Sequence, residues 1–340
     1  MNKRFENVLK GIPQPTPPIW FMRQAGRYHS HYQNLRKKYT FEELCKNPEL
    51  AAQVACGPMT DFDYDIAILF SDILFPLEIL GLKLSYNPGP TFENYLGMND
   101  VDIKVSDAYV EEKLAFQPRA LELTRMALAN NKSLVGFVGG PWTILSYGMN
   151  IKNEQSINPI KAGIFIEKLL YDVLFPILRK NIQMQLDAGA EIVYVFDTNS
   201  MQLESPYYLD VYMQKMKTEL FLEFSKKLAY FSKNKNFYQQ NIKDLSDYKL
   251  AGVVYPGENG FKKFIKEEKN FFVQGNFSPQ SLLKEHSSYL IDFEKFVDNI
   301  KQLSDNDKRG WLCSLSHGVL PKTPEQNVQH FIGEIRRIFS

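Results

Sequence analysis

Short apolar runs recur along the 340-residue chain, each followed by a polar or Gly/Pro turn and then by a longer stretch of helical spacing. The runs occupy residues 19–22, 66–70, 134–138, 192–196, 237–239, 252–255, 271–273 and 311–314. They are brief, rich in branched and aromatic side chains and bounded by turn residues, which is the pattern of buried strands. Helical spacing fills 117–129, 164–188, 207–226 and 279–286, and a closing helix is predicted over 324–339. Eight strands alternating with helices predict an α/β fold, a closed (β/α)8 TIM barrel rather than an open sheet. The strand at 237–239 carries the weakest pattern, and without it an open sheet becomes possible.

Residues 82–86, with Pro88-Gly89-Pro90 as a turn, predict a hairpin that leaves the barrel after the second strand. Four prolines between Pro13 and Pro18 make the segment before Ile19 an extended lead-in. No repeat, low-complexity tract or linker divides the sequence, so residues 1–340 are expected to form one domain. A barrel of this kind carries its chemistry at the carboxyl ends of its strands. Arg23 and Arg27, Ser71-Asp72, Gly139-Gly140-Pro141-Trp142 leading to Tyr147, Asp197-Thr198-Asn199, Gln239-Gln240, Pro256, Gly275-Asn276 and Ser316-His317-Gly318 occupy those ends.

Charge narrows the partners. Lys and Arg total 40 against 39 Asp and Glu, a formal charge of +1, so no bulk field recruits nucleic acid or an anionic membrane. An anionic ligand must therefore meet a local basic cluster. Lysines outnumber arginines 30 to 10, so closely spaced arginines mark places where lysine is a poor substitute. Three cysteines, none in a CxxC pair, cannot build a disulfide framework and suit a reducing compartment. No apolar run is long enough for a membrane span, and the charged opening stretch lacks the apolar core of a secretory signal. A cytoplasmic protein is expected.

Arg23 and Arg27 would share one face if their segment were helical, either as a solvated basic face or as two guanidinium forks for carboxylates. Trp20, Met22, Tyr28 and Tyr32 place the pair in a partly apolar wall. Asp72, flanked by apolar residues, is either a helix N-cap or a partly buried carboxylate that needs a donor. Tyr147 can pack in a core or reach a carboxylate arm. His317, beside glycine, can orient a ligand, titrate or simply end a strand. His29 and His31 have no third metal ligand nearby in the sequence, and the cysteines lack zinc spacing, so no metal is expected. Walker, GxGxxG and GxSxG patterns are absent.

The segment Pro18-Ile19-Trp20-Phe21-Met22-Arg23-Gln24-Ala25-Gly26-Arg27-Tyr28 resembles the N-terminal motif of the uroporphyrinogen decarboxylases. The likeness continues through Phe70-Ser71-Asp72-Ile73-Leu74, Gly140-Pro141-Trp142-Thr143, Phe196-Asp197-Thr198 and Val273-Gln274-Gly275-Asn276. It ends at His317-Gly318-Val319-Leu320-Pro321 and Thr323-Pro324-Glu325-Gln326-Asn327-Val328. The resemblance implies a single distorted barrel, a homodimer, and no cofactor or metal. It also implies decarboxylation of the four acetate arms of uroporphyrinogen III to methyl groups, giving coproporphyrinogen III. Family positions carry over to Arg23, Arg27, Asp72, Tyr147 and His317 as catalytic candidates, with Thr198, Tyr32 and Phe70 as further substrate-binding positions.

Four places depart from the family pattern. His29-Ser30-His31 stands for Leu-Pro-Glu, Thr198 for a serine, and Ser314 and Ser316 for an Asn and a Gly; Val254-Tyr255-Pro256 replaces an Asp-Trp pair. Two other readings follow from the resemblance and its departures. One is a corrinoid- or thiol-dependent methyltransferase of the same fold, for which Cys313 and His317 are the only nearby zinc ligands. The other is a catalytically silent porphyrinogen-binding protein.

Overall fold

A computed structural model of the protein describes residues 1–151, 156–240, 242–257 and 259–340. Seven parallel strands form its central sheet: β1 (Ile66–Ile68), β4 (Ser133–Gly139), β5 (Val193–Asp197), β6 (Leu228–Ser232), β7 (Gly252–Val254), β8 (Phe272–Phe277) and β9 (Trp311–Leu315). They pair in that order, each with the next, and helices fill the crossovers. The result is a curled parallel sheet of TIM-barrel type. Two short antiparallel strands, β2 (Leu84–Tyr86) and β3 (Pro90–Phe92), pair with each other alone, in chain order between β1 and β4.

Five of the predicted strands coincide with β1, β4, β5, β7 and β9 to within a few residues, and a sixth falls at the start of β8. Two do not. Residues 237–239 fall on a helical turn, Lys235–Tyr238, whose first turn is capped by the Asn234 side chain. The strand of that position is β6, an uninterrupted apolar run, Leu-Ala-Tyr-Phe-Ser. It follows the preceding helical segment without a Gly or Pro, so its periodicity merges with that of residues 207–226. The strand-end residues here are therefore Lys233 and Asn234, not Gln239 and Gln240.

Residues 19–22 form no strand beyond a single parallel bridge between Ile19 and Cys313. The prolines before them supply no amide donors, and the chain turns at once, with the Gln24 amide bonded to the Phe21 carbonyl at 2.9 Å. Short as it is, this segment touches both edges of the sheet. The Cys313 amide donates to the Pro18 carbonyl at 3.0 Å, and the Asp65 amide to the Ile19 carbonyl at 2.9 Å. The Ile19 amide returns a bond to the Asp65 carboxylate at 2.8 Å.

Asp65, buried just before β1, also accepts from Asn2 at 3.2 Å, from Arg4 at 3.1 Å and from Arg336 at 3.3 Å. A buried carboxylate persists only when paired and hydrogen-bonded. Here one carboxylate gathers the first helix, the lead-in and the helix Glu325–Ile338. Deeper in the core, Trp20 donates to the Tyr194 hydroxyl at 3.2 Å, and Tyr194 to Gln274 at 2.9 Å. Gln274 then donates to Ser314 at 3.0 Å, and Ser314 to the Trp20 carbonyl at 2.7 Å. This ring gives Ser314 a packing role in place of the family's asparagine.

Candidate active site

The loop after Ile19 carries both arginines, and it is not helical. Arg23 sits at φ 64, in the left-handed region that side chains rarely occupy, so the two guanidinium groups are placed by a strained turn rather than by helical spacing. Buried Gln24 braces the turn by donating to the Ile66 carbonyl of β1 at 3.0 Å. The Tyr28 hydroxyl bonds back to the Gln24 carbonyl at 2.9 Å. Both arginines remain solvent-exposed, and among the described residues neither forms an ion pair. Crowding by protein, and then the neighbouring Arg27 charge, lower the Arg23 pKa; Tyr147 and Asp72 oppose the shift. Those couplings place Arg23, Arg27, Tyr147 and Asp72 in one neighbourhood.

Asp72 follows β1. Its Oδ1 accepts the Leu74 amide at 2.9 Å, so part of the predicted capping role is real, although the helix that follows, Pro76–Ile79, is not N-capped by Asp72. Burial pushes the Asp72 carboxyl up, and the Leu74 amide, Tyr86 and Arg23 pull it partly back. Asp72 is thus a partly buried carboxylate coupled to Arg23, not the N-cap of the helix Pro76–Ile79. Phe70, two residues past the same strand, packs on Tyr32 with ring centroids 5.7 Å apart, and Tyr32 is electrostatically coupled to Arg27. These two rings form the apolar wall of the site.

At the end of β9, the Gly318 amide donates to Nδ1 of His317 at 2.7 Å, leaving the ring proton on Nε2. Burial, then the charges of Arg23 and Lys233, push the His317 pKa down to about 4. The imidazole is therefore neutral near pH 7. Arg23 lies against the same glycine, since a Cβ at residue 318 would come 2.6 Å from Arg23 Cδ.

Tyr147 is 39% exposed on the helix Pro141–Gly148, so it is not the core aromatic that its surroundings in the sequence allowed. Thr198 begins the turn after β5. The two are tied together by Asp197, which is fully buried and accepts from Thr143 Oγ1 at 2.8 Å, the Thr143 amide at 3.1 Å, Tyr212 at 2.7 Å and Tyr230 at 3.2 Å. Thr143 in turn accepts the Asn199 amide at 2.9 Å, and Asn199 donates to Ser146 at 2.8 Å. Gly140 is needed at this hub, where a Cβ would stand 2.2 Å from the Asp197 side chain. Sequence reasoning placed Asp197 at a strand end without seeing that it joins the two loops. Its signal was a carboxylate closing an otherwise apolar strand. Lys233 was missed with its strand.

His29 is fully buried, its Nε2 2.8 Å from Asp61 and its ring stacked on His31. Among the described residues no three His, Cys, Asp or Glu side chains are grouped to hold a metal ion. Cys313 points into the core, with burial pushing its thiol well up, so it and His317 do not make a thiolate–imidazole pair. Among the described residues no helix is long and apolar enough to cross a membrane.

The fold resembles that of a methyltransferase from Methanosarcina mazei, with a TM-score of 0.74, 17% sequence identity and 100% and 99% of the two chains covered. At that identity the likeness concerns the fold alone. In sequence, the chain is 33% identical to the uroporphyrinogen decarboxylase of Orientia tsutsugamushi (strain Ikeda) over 338 residues, covering 95% of each. It is 33% identical to that of Helicobacter acinonychis (strain Sheeba) over 334 residues, covering 94% of each. The family model for uroporphyrinogen decarboxylase (URO-D) matches residues 1–338. The motifs that build the site thus lie within one continuous family match, and the chain belongs to the uroporphyrinogen decarboxylase family.

Proposed function

We propose that the site removes carbon dioxide from the four acetate arms of uroporphyrinogen III, leaving methyl groups and yielding coproporphyrinogen III without a cofactor. The observation that carries this reading is the pair Arg23 and Arg27, free of ion pairs among the described residues, beside the partly buried Asp72. A near-neutral protein must concentrate cations locally to hold a substrate with eight carboxylates. Two guanidinium groups that form no ion pair among the described residues do that.

The substrate supplies its own electron sink. Protonation of a pyrrole ring carbon makes an iminium, the acetate carbon–carboxyl bond breaks toward it, and carbon dioxide leaves. The exocyclic methylene that results takes a proton to become methyl, and the ring carbon returns its proton. Asp72 accepts hydrogen bonds from the pyrrole N–H groups and stabilises the cationic ring as it forms, a charge arrangement set before the reaction begins. Tyr147, Thr198 and neutral His317 place carboxylate arms, while Tyr32 and Phe70 face the macrocycle. A guanidinium is a poor proton donor, so Arg23 and Arg27 are assigned to binding.

We also read the chain as one domain, a closed (β/α)8 barrel in which residues 18–20 stand in for an eighth strand, with the hairpin as its excursion. The bonds from this segment to both sheet edges support that reading. A homodimer in the cytoplasm, without nucleic-acid or membrane partners, completes it.

The test is anaerobic incubation of metal-free protein with freshly reduced uroporphyrinogen III, followed by oxidation and separation of products by carboxylate number. A ladder from eight carboxylates to four without added cofactor is expected. Unchanged substrate on a folded, porphyrinogen-binding protein would favour the silent binding protein instead.

A further inference from the structure

Tyr86 ends the hairpin strand β2, and its hydroxyl is buried with no hydrogen-bond partner among the described residues. Buried phenols normally find a partner, so an orphaned one asks for a reason. Its ring is firmly held, edge-to-face against Phe41 at 4.7 Å and near Phe75 at 6.3 Å. Phe41 also meets Phe70 at 6.0 Å, so the aromatic wall of the candidate site runs without a break from Tyr32 to Tyr86. The carboxyl to which this hydroxyl is most strongly coupled is Asp72. Each side chain perturbs the other: after burial, the Asp72 charge is the largest influence holding the proton on Tyr86, and Tyr86 pulls Asp72 toward its ionised form.

We propose that Tyr86 is a positioning residue for the decarboxylation, donating its hydroxyl hydrogen bond to Asp72 and so keeping that carboxylate charged and aimed at the pyrrole N–H groups. The inference rests on the decarboxylase reading. Asp72 Oδ1 is already engaged by the Leu74 amide, so a second donor from the hairpin adds a further constraint on the carboxylate plane. Tyr86 stays protonated throughout, because burial and the Asp72 charge both raise its pKa far above neutral. Of the other groups coupled to this pair, Arg23 favours the charged form of Asp72, and the Cys45 thiol and Glu78 face Tyr86. Glu78 is itself paired with Lys46 at 3.0 Å. The buried Cys45 thiol is neutral but only a weak donor, so the hydroxyl adds the strong neutral donor of this group.

Tyr86→Phe keeps the ring and removes only the oxygen. Protein labelled with 13C at the aspartate side-chain carboxyl carbon, with the Asp72 signal assigned by its loss in Asp72→Asn, reports the titration directly. The Asp72 midpoint should rise by about one pH unit in Tyr86→Phe, the size expected for losing a hydrogen bond to a charged group. The acid limb of kcat/KM should move upward with it, while the plateau above the limb changes little and KM on that plateau stays put. In an Asp72→Asn background the same change should add no further loss, because its effect passes through Asp72. An unmoved midpoint and limb overturn the proposal, as does a lowered plateau with no shift, which would mean packing alone. If the midpoint moves in a protein that leaves uroporphyrinogen untouched, the pairing stands and the decarboxylase reading fails.

Discussion

Arg23 packs over Gly318 so closely that a single methyl group there would come 2.6 Å from its Cδ and 2.9 Å from its Cγ. The glycine that follows His317 thus shapes the path of an arginine some three hundred positions earlier. The contact is reinforced by the Val319 amide, bonded to the Met22 carbonyl at 2.9 Å. Gly318→Ala should push the Arg23 side chain aside while leaving the fold intact. Displacing one charge-assisted contact predicts a roughly 10- to 100-fold loss in kcat/KM, mostly through KM. A steady-state comparison at matched thermal stability checks this. Wild-type KM in the alanine variant would remove Arg23 from substrate binding.

Asp72→Asn exchanges a charge for a dipole of the same shape. Catalysis should fall by about 10²- to 10³-fold, the range for losing one preorganised electrostatic partner. Stability should hold or improve, since the native protein resists ionising this carboxyl. Single-turnover rates and thermal melts together provide the check. A folded Asp72→Asn protein with near-normal turnover would refute the assigned role.

The pH dependence follows from the two shifted groups. In the proposed role Asp72 acts as a carboxylate, and its pKa is raised by burial, so kcat/KM should fall with decreasing pH along a limb above the usual aspartate value of about 3.9. His317, pushed down to about 4, should give no limb near 6.5. It acts instead on stability. An unfolded chain takes up a proton near pH 6.5, whereas the folded site refuses one until about 4, so stability is lost as pH falls through that window. His317→Asn should flatten this part of the stability curve, as measured by urea unfolding between pH 4 and 7 (a window of about the same width). A variant whose curve keeps its wild-type slope would count against the buried neutral imidazole.

Asp65 lies at the other end of β1, away from the chemistry. Asp65→Ala leaves Arg4 and Arg336 without their buried partner and frees the Ile19 amide, so a loss of about 3–5 kcal/mol is expected. Urea titration should show it, with kcat of the remaining folded protein nearly unchanged. A loss under about 1 kcal/mol would put the pair in the class of surface bridges.

Strands whose apolar runs end in Gly, Pro or polar turns were legible in the sequence, because β4, β5, β7 and β9 bury both faces and show it as continuous hydrophobicity. β6 was hidden by its junction with a helical stretch, and Lys233 was hidden with it. Helical spacing was the sequence's reason for pairing Arg23 with Arg27, but a left-handed turn, not a helix face, sets their placement. The reach of Asp197 and of Tyr86 was invisible, because each depends on partners far off in sequence or on a hydroxyl whose neighbour only the fold reveals. Residue types marked the candidates, but tertiary contacts assigned the geometry.

The gathering of Asn2, Arg4, Ile19 and Arg336 on Asp65 also sets an order of assembly. During synthesis the chain emerges from its amino end, and β1 and then β4 through β8 can pair in turn as they appear. The seam cannot: its last cation arrives with residue 336, and the bridge at Ile19 waits for Cys313. Until then the growing sheet keeps two open edges, the exposure through which nascent chains pair wrongly with one another. A ribosome pausing before the final helix would therefore hold this protein at its most aggregation-prone stage.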